Sequence, residues 1–326
     1  MVDARIDGLR MVPLRDIRQS DLVDFMRTHA VSRYCDEAPF IGDAPCGYLL
    51  KRVVEDAGSA DATAVAATSG DRLLGLTVLR FPEWDEEHFG FVVGRVEHLQ
   101  GVDEEVLTCL VGEAVRQLEA RNARMCSARL SGDALAAIHS LEAHGFRFQE
   151  QTLNPWYDLS NWDPRVHGVT RPATPEDVPQ LRAIARSAFR TDRFHRDCRF
   201  DKDKADGVYD KWVLSWHDNS RPGRYSRVLE VQGRVAGLFT FEIIKPHGQH
   251  GADVASLGLC GVDPSASGVG NGFRMYCDMV DEAAKLARFA VARVSAANPP
   301  VVNLFSKLGF RLTSSGEVTM HWWSED

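Results

Sequence analysis

The 326-residue sequence has no apolar run approaching the ~20 residues that a membrane span needs. Its opening stretch, MVDARIDGLRMVPL, holds no apolar signal core. A cytoplasmic protein without a membrane partner is the expectation. An excess of positive charge is also missing, since 38 Lys and Arg stand against 46 Asp and Glu. That balance removes the basic footprint of a nucleic-acid binder, so no nucleic-acid partner is expected. Cysteine is sparse: the seven, at 35, 46, 109, 126, 198, 260 and 277, never fall as CxxC and are odd in number. Disulfide pairs and a zinc site are thereby disfavoured, and buried reduced thiols are expected. His247 and His250 in KPHGQHG lack an acidic or thiol partner at ligating spacing, so no metal is expected. No GxxxxGK[ST] occurs, which excludes an NTPase loop of that type.

What is present is an ordinary globular composition, 44% hydrophobic and 26% charged, in a chain longer than one average domain. The chain repeats itself. SDLVDFM from Ser20 recurs as EDVPQLR from Glu176, RLLGLTVLRF from Arg72 as RVAGLFTFEI from Arg234, and LEAHGFRF ending at Phe148 as SKLGFRL ending at Leu312. Each match alone is weak, but three in one order with slowly drifting offsets predict two copies of one fold. Between them, NPWYDLSNWDPRVHGVTRPATPEDV carries four prolines and reads as a linker. The boundary is placed near residue 163, giving domains 1–163 and 164–326.

The second copy shows the grammar most clearly. TPEDVPQLRAIARSAF reads as a helix with Thr174 as N-cap, Pro175 at the first position and acids in the first turn. YSRVLEVQG and RVAGLFTFEII form a hairpin pattern, and ADVASLGLCGV a third strand. GFRMYCDMVDEAAKLARF places Phe273, Met275, Cys277, Val280, Ala284 and Leu286 at roughly helical spacing. Hairpins plus one strand–loop–helix–strand crossover predict an α+β fold, an α/β mixed open sheet, in each copy.

Between that third strand and that helix lies VDPSASGVGNG, residues 262–272, with glycines at 268, 270 and 272. Glycines opening a helix let backbone N–H groups face an anion at the positive end of the helix dipole. The spacing is GxGxG after a late strand, not the GxGxxG of a dinucleotide fold. Further on comes NPPVVNLFSKLGF. The two stretches together resemble the GCN5-related N-acetyltransferase (GNAT) family, whose members carry V-x-P-x-x-[RQ]-G-x-G-x-[GA] and later N-x-x-x-x-x-L-Y-x-K-x-G-F. Val262, Pro264, Gly268, Gly270 and Gly272 match the first motif; Asn298, Leu304, Lys307, Gly309 and Phe310 match the second. The resemblance covers about 166–326 and implies an acyl-coenzyme A site, acetyl-CoA above all. Ser267, Gly268, Val269, Gly270, Asn271 and Gly272 would cradle the pyrophosphate. Leu259, Cys260 and Val262 would hold the pantetheine arm and acyl carbonyl, with Asn298 and Phe305 beside them.

Two positions depart from the family pattern. Ser267 stands where Arg or Gln is usual, removing one phosphate contact, and Phe305 stands where Tyr is usual. In members with the Tyr, its phenol can protonate the departing thiolate, so Phe305 marks the acid's position without being an acid. In the first copy GVDEE occupies the place of GVGNG, so that copy is read as a degenerate GNAT-like domain without coenzyme binding.

Residues 188–213, AFRTDRFHRDCRFDKDKADGVYDKWV, mix Arg, Lys and Asp with aromatics at 189, 194, 200, 209 and 212. One reading is a solvated helical hairpin with a half-buried aromatic face. The other is an acceptor pocket, aromatics stacking on a base or sugar and arginines pairing a diphosphate. With EWDEEHFGF at 83–91, this stretch is similar to dTDP-fucosamine N-acetyltransferases and related nucleotide-sugar acyltransferases. The similarity implies a nucleotide-linked amino sugar at Arg193, Phe194, His195, Tyr209 and Trp212. An amino acid or natural-product amine fits nearly as well. His195 has the ordinary pKa of a general base, and Glu242 could act through a water. Direct transfer needs no nucleophile, so a covalent role for Cys260 is set aside. The sequence thus predicts an N-acyltransferase acting on a small-molecule amine, as a monomer or homodimer. The alternative is a coenzyme A-binding regulatory module without turnover.

Overall fold

The computed structural model describes residues 8–29, 45–164, 168–217, 222–245, 252–266, 270–312 and 316–325. In chain order the first elements are β1 (Leu9–Pro13), α1 (Gln19–His29), α2 (Pro45–Ala57), β2 (Ala62–Ser69), β3 (Arg72–Arg80) and α3 (Glu83–Phe89). Then come β4 (Val93–Gly101), α4 (Glu104–Ala120), β5 (Met125–Ser131), α5 (Leu135–Ala143) and β6 (Arg147–Leu153). They continue as β7 (Pro155–Asp158), β8 (Thr170–Pro172), α6 (Val178–Ala188), α7 (Arg193–Arg196), α8 (Lys202–His217), β9 (Arg224–Val231) and β10 (Arg234–Ile244). The last are β11 (Val254–Val262), α9 (Asn271–Ala284), β12 (Phe289–Ala292), β13 (Val294–Ser295), α10 (Pro299–Leu308), β14 (Arg311–Leu312) and β15 (Glu317–Trp323).

Backbone contacts divide the described chain into two units, one running through Gln151 and including 316–325, the other running from Thr152 through 312. The sheet of the first runs β1-β2-β3-β4-β5-β15-β6, and that of the second β8-β9-β10-β11-β12-β7-β14. Each is a mixed sheet: antiparallel neighbours lead to one parallel pair, β4–β5 or β11–β12, joined through a crossover helix. A parallel pair requires such a crossover because its strands start at the same end. The repeated sequences fall on equivalent elements: α1 and α6, β3 and β10, α5–β6 and α10–β14.

Each unit packs its own core. In the second, Phe239, Phe241, Met275, Val280 and Phe305 pack together; in the first, Leu79, Leu118, Met125, Leu141 and Phe146 are fully buried or nearly so. The helices lie against the sheets by an apolar stripe, as in α4, where Val106, Leu107, Leu110, Val111, Ala114 and Leu118 are buried.

The expected boundary near 163 shifts to 151/152, and the stretch read as a linker is structured. Its prolines break helix, but its aromatics carry too much apolar surface to leave in water. Tyr157 packs on Phe310 with ring centroids 5.4 Å apart, and Trp162 Nε1 donates to Asp281 at 2.5 Å. The segment supplies β7, which lies between β12 and β14. Correspondingly, the strand following the second copy, β15, lies between β5 and β6, with Ser131 opposite Glu317 and Met125 opposite Trp323. Each sheet thus receives one strand from the chain segment that follows the other copy.

Candidate active site

The second unit's central strand is interrupted. Phe239 of β10 faces Cys260 and Phe241 faces Leu257, so Gly258 and Leu259 together oppose Thr240. Two residues against one is a β-bulge, a device that re-aims a strand. Leu259 N donates to Thr240 Oγ1 at 2.9 Å, closing the bulge. A Cβ at Gly258 would come within 2.6 Å of that hydroxyl and 3.3 Å of the Trp216 ring, so glycine is required there by space. At the same point the parallel pairing stops: Leu257 opposite Ala292 is its last pair. From Gly258 to Val262 β11 pairs with β10 alone, and its other edge faces a cleft.

Past the strand, Asp263 folds the chain back. Its Oδ1 accepts from Ser265 N at 2.8 Å and from Ser265 Oγ at 2.6 Å, and Ala266 N donates to Asp263 O. Gly270 then starts α9 with φ +79°, a conformation glycine adopts without strain. As N-cap it offers no side-chain acceptor to the first-turn amides, and an added Cβ there would meet nothing within 4 Å. Open space before uncapped amides at a helix N-terminus suits a phosphate oxygen. Asn271 anchors the turn through Nδ2 to Ala266 O at 3.0 Å. Ser267, Gly268 and Val269 lie outside the described residues, as do His247 and His250. Among the described residues no group of His, Cys, Asp and Glu could hold a metal ion, and no helix is long and apolar enough to cross a membrane.

Asn298 caps α10, its Oδ1 accepting from Val301 N, and Pro299 follows at the first helical position. Phe305 is buried in the core, edge-on to Tyr276 at 5.5 Å and to Phe310 at 4.9 Å. Tyr276 is the residue that sequence reasoning missed. It sits on α9 beside the position of the absent phenol, and its hydroxyl hydrogen-bonds Cys260 on β11. Burial, then the neighbouring Cys260, pushes its pKa well above the ordinary tyrosine value. Burial likewise raises the Cys260 thiol, which makes it a poor nucleophile. The other described cysteines, 109, 126, 198 and 277, are free thiols too.

The helical segment α6–α8 corrects several acceptor expectations. His195 Nδ1 bonds Asp192 at 2.6 Å and Nε2 bonds Asp206 at 2.9 Å. Burial opposes its charge, but the bonds to Asp192 and Asp206 outweigh it and raise its pKa. An imidazolium clamped on both nitrogens is a structural ion, so His195 is not placed to be a general base. Phe194 and Tyr209 are buried, Phe194 against Phe200 and Tyr209 stacked on Phe189 at 4.8 Å. Arg193 and Trp212 keep partial exposure, with Arg193 lying over the Phe194 ring. The arginines needed for a diphosphate are engaged locally: Arg182 with Asp210, Arg190 with Asp206, Arg199 with Asp197.

Two parts of this segment do reach the cleft. Ala188 and Phe189, ending α6, press on Gly261, where a Cβ would meet them at 3.0 and 3.1 Å. Ser295 Oγ of β13 donates to Thr191 O at 3.1 Å. Residues 188–191 therefore span from the β11 side of the cleft to the β13 side. Trp216, missed from sequence, abuts the bulge, and Arg224 lies 4.8 Å over its ring while its Nε donates to Glu242 Oε2 at 3.1 Å. Glu242 and Trp216 thus form one group near Gly258.

Comparison with known proteins agrees with this geometry. Residues 180–310, most of the second unit, match the acetyltransferase (GNAT) family. No curated protein matches the chain. Among solved structures, a tandem GNAT protein from the clavulanic acid biosynthesis pathway matches at 15% identity with TM-score 0.57, covering 98% of this chain and 100% of its own. A GCN5-related N-acetyltransferase from Sphaerobacter thermophilus matches at 14% identity and TM-score 0.62, covering 97% and 95%. A glucosamine N-acetyltransferase region of a fungal multi-domain β-N-acetylglucosaminidase matches at 12% and 0.62, covering 96% of this chain and 38% of that one. At these identities the likeness is one of fold, and the fold is that of the tandem GNAT proteins.

Proposed function

We propose that the second unit is an N-acyltransferase that moves an acyl group, acetyl in the first instance, from a coenzyme A thioester to the amine of a small molecule. The observation that carries this reading is the coincidence, at one end of β11, of the bulge, the end of pairing with β12 and the uncapped start of α9. Gly270, Asn271 and Gly272 would receive the pyrophosphate, and the unpaired edge of Leu259–Val262 the pantetheine arm. The coenzyme supplies the activated thioester; the chain must position a neutral amine and deliver a proton to the departing thiolate.

Phe305 cannot deliver that proton. Tyr276, whose ring touches it and whose hydroxyl points to Cys260 on the thioester strand, is the phenol at hand. Its raised pKa keeps it protonated at neutral pH, as a donor requires. Glu242 relays the amine proton through a water, and Trp216 walls the acceptor's approach. With Arg182, Arg190 and Arg199 already paired, a compact amine fits this site better than a nucleotide-linked sugar.

Calorimetric titration with acetyl-CoA, followed by thiol release with a panel of amines, tests the reading. Saturable binding to wild type that is lost in Gly270→Asp, where a carboxylate would face the phosphates, is the expected result. Unchanged affinity in that variant overturns the cradle. Binding without release for any amine would favour the second reading, a coenzyme sensor, for which the core position of Phe305 speaks.

A further inference from the structure

The first unit repeats the architecture of the cleft without its anion cradle. Val78 faces His98 and Leu79 faces Val96, so Glu97 is the extra residue of a bulge on β4. The parallel pairing of β4 with β5 ends at the adjacent pair, Val96 opposite Ala128. These are the features found at Gly258 and Leu257 in the second unit. The connection to the following helix differs: residues 102 and 103 join β4 to α4, whereas 263–270 join β11 to α9. Asp103 caps α4 with its own carboxylate, accepting from Val106 N at 2.9 Å, and Glu104 and Glu105 follow in the first turn. A helix N-terminus so filled repels a phosphate instead of attracting it.

The cleft itself has not closed. A cavity of about 350 Å³ lies between the diverging strands, at the small end of ligand-sized pockets. Leu99, Leu107, Leu130 and Leu141 give it apolar walls. Glu97, Asp103 and Asp133 line it as well, against the single guanidinium of Arg129, whose Nε donates to Thr319 Oγ1 at 3.1 Å. His98 also borders it but is bonded to the Asp56 carboxylate at 2.8 Å. Glu97 is 9% exposed, so its carboxylate is held largely out of bulk water at the point where the strands part. Bulges recur where a strand must aim a side chain into a site.

The geometry points to a second ligand site in the first unit, between β4 and β5, that takes a small molecule with an apolar body and a cationic amine, and excludes coenzyme A. The apolar walls hold the body. The surplus of carboxylates, with Glu97 innermost, selects a positive charge over a neutral or negative one, most strongly where water is displaced. The site does not depend on the acyl-transfer reading of the second unit.

Three probes of one size separate the charge term from the apolar term: 2-phenylethylamine, 2-phenylethanol and phenylacetate, titrated into the full-length protein by calorimetry. The amine is expected to bind saturably, at least tenfold more tightly than the alcohol, with phenylacetate weakest. Glu97→Gln should bring amine and alcohol to within threefold of each other. Ala136→Trp, which fills the cavity from α5, should abolish binding of both while the variant melts as wild type. Gly270→Asp, on the other unit, should change none of these values. Absence of saturable amine binding, phenylacetate binding as tightly as the amine, or loss of binding in Gly270→Asp would each overturn the assignment.

Discussion

His195 and the aspartates on its two ring nitrogens impose a pH window on stability. The folded chain holds the imidazolium proton more tightly than the unfolded chain, so this contribution is complete below about pH 6.5 and fades as pH rises through the raised folded value. Burial disfavours the Asp192 carboxylate, but His195 outweighs it and lowers its pKa. That contribution is present above about pH 4 and lost as pH falls further. Removing one partner of such a buried group costs about 3 kcal/mol. His195→Gln should therefore lower Tm most near pH 5.5, with the gap to wild type narrowing by pH 9. A gap that widens with pH would refute the clamp. Tyr276→Phe tests the other residue-scale conclusion: kcat should fall by about 10² with KM for acetyl-CoA little changed. An unchanged kcat would mean that water protonates the thiolate.

At the scale of elements, the bulged strand and the glycine turn carry the site. Gly258→Val should lose acetyl-CoA affinity and about 1–3 kcal/mol of stability, because its side chain must displace Thr240 or Trp216. Retention of both properties, measured by calorimetry and thermal melting, would show that the bulge tolerates a side chain. The turn was legible in sequence because glycine density and a following helix are local signals. The helix was legible too, but not its buried stripe. Phe273 and Leu286 are 37% and 40% exposed, while Tyr276, Met279 and Ala283 are buried. Helical periodicity finds an apolar face; which residues of a mixed face turn inward depends on the sheet beneath. The α6–α8 segment was misread for a similar reason. Its charges suggest a ligand until Asp192, Asp206 and Asp210 are seen to be matched by neighbours on adjoining helices.

For the whole molecule, the repeat predicted two like folds, and two like folds are present. The exchange of strands was not legible, because a strand's own residues specify its buried face and not the sheet it joins. In β15, Glu317, Thr319 and His321 are all buried, an unusual polar strand interior, and Arg129 of β5 donates to Thr319. Deleting residues 316–326 should open the gap between β5 and β6 and unfold the first unit. Hydrogen exchange would show β4–β6 losing protection, while acetyl-CoA still binds the second unit. Protection that survives the deletion would show that the first sheet stands without its seventh strand.

The same exchange bears on synthesis. Ser131 must wait for Glu317 before its strand is flanked on both sides, so the first unit cannot complete its sheet while the ribosome is still making the second. The β7 strand, by contrast, is made before any of its partners in the second sheet. The N-terminal half therefore emerges with an open edge beside β5, the kind of edge that recruits stray strands. During translation it is the earlier half that depends on chaperones, and the later half that releases it.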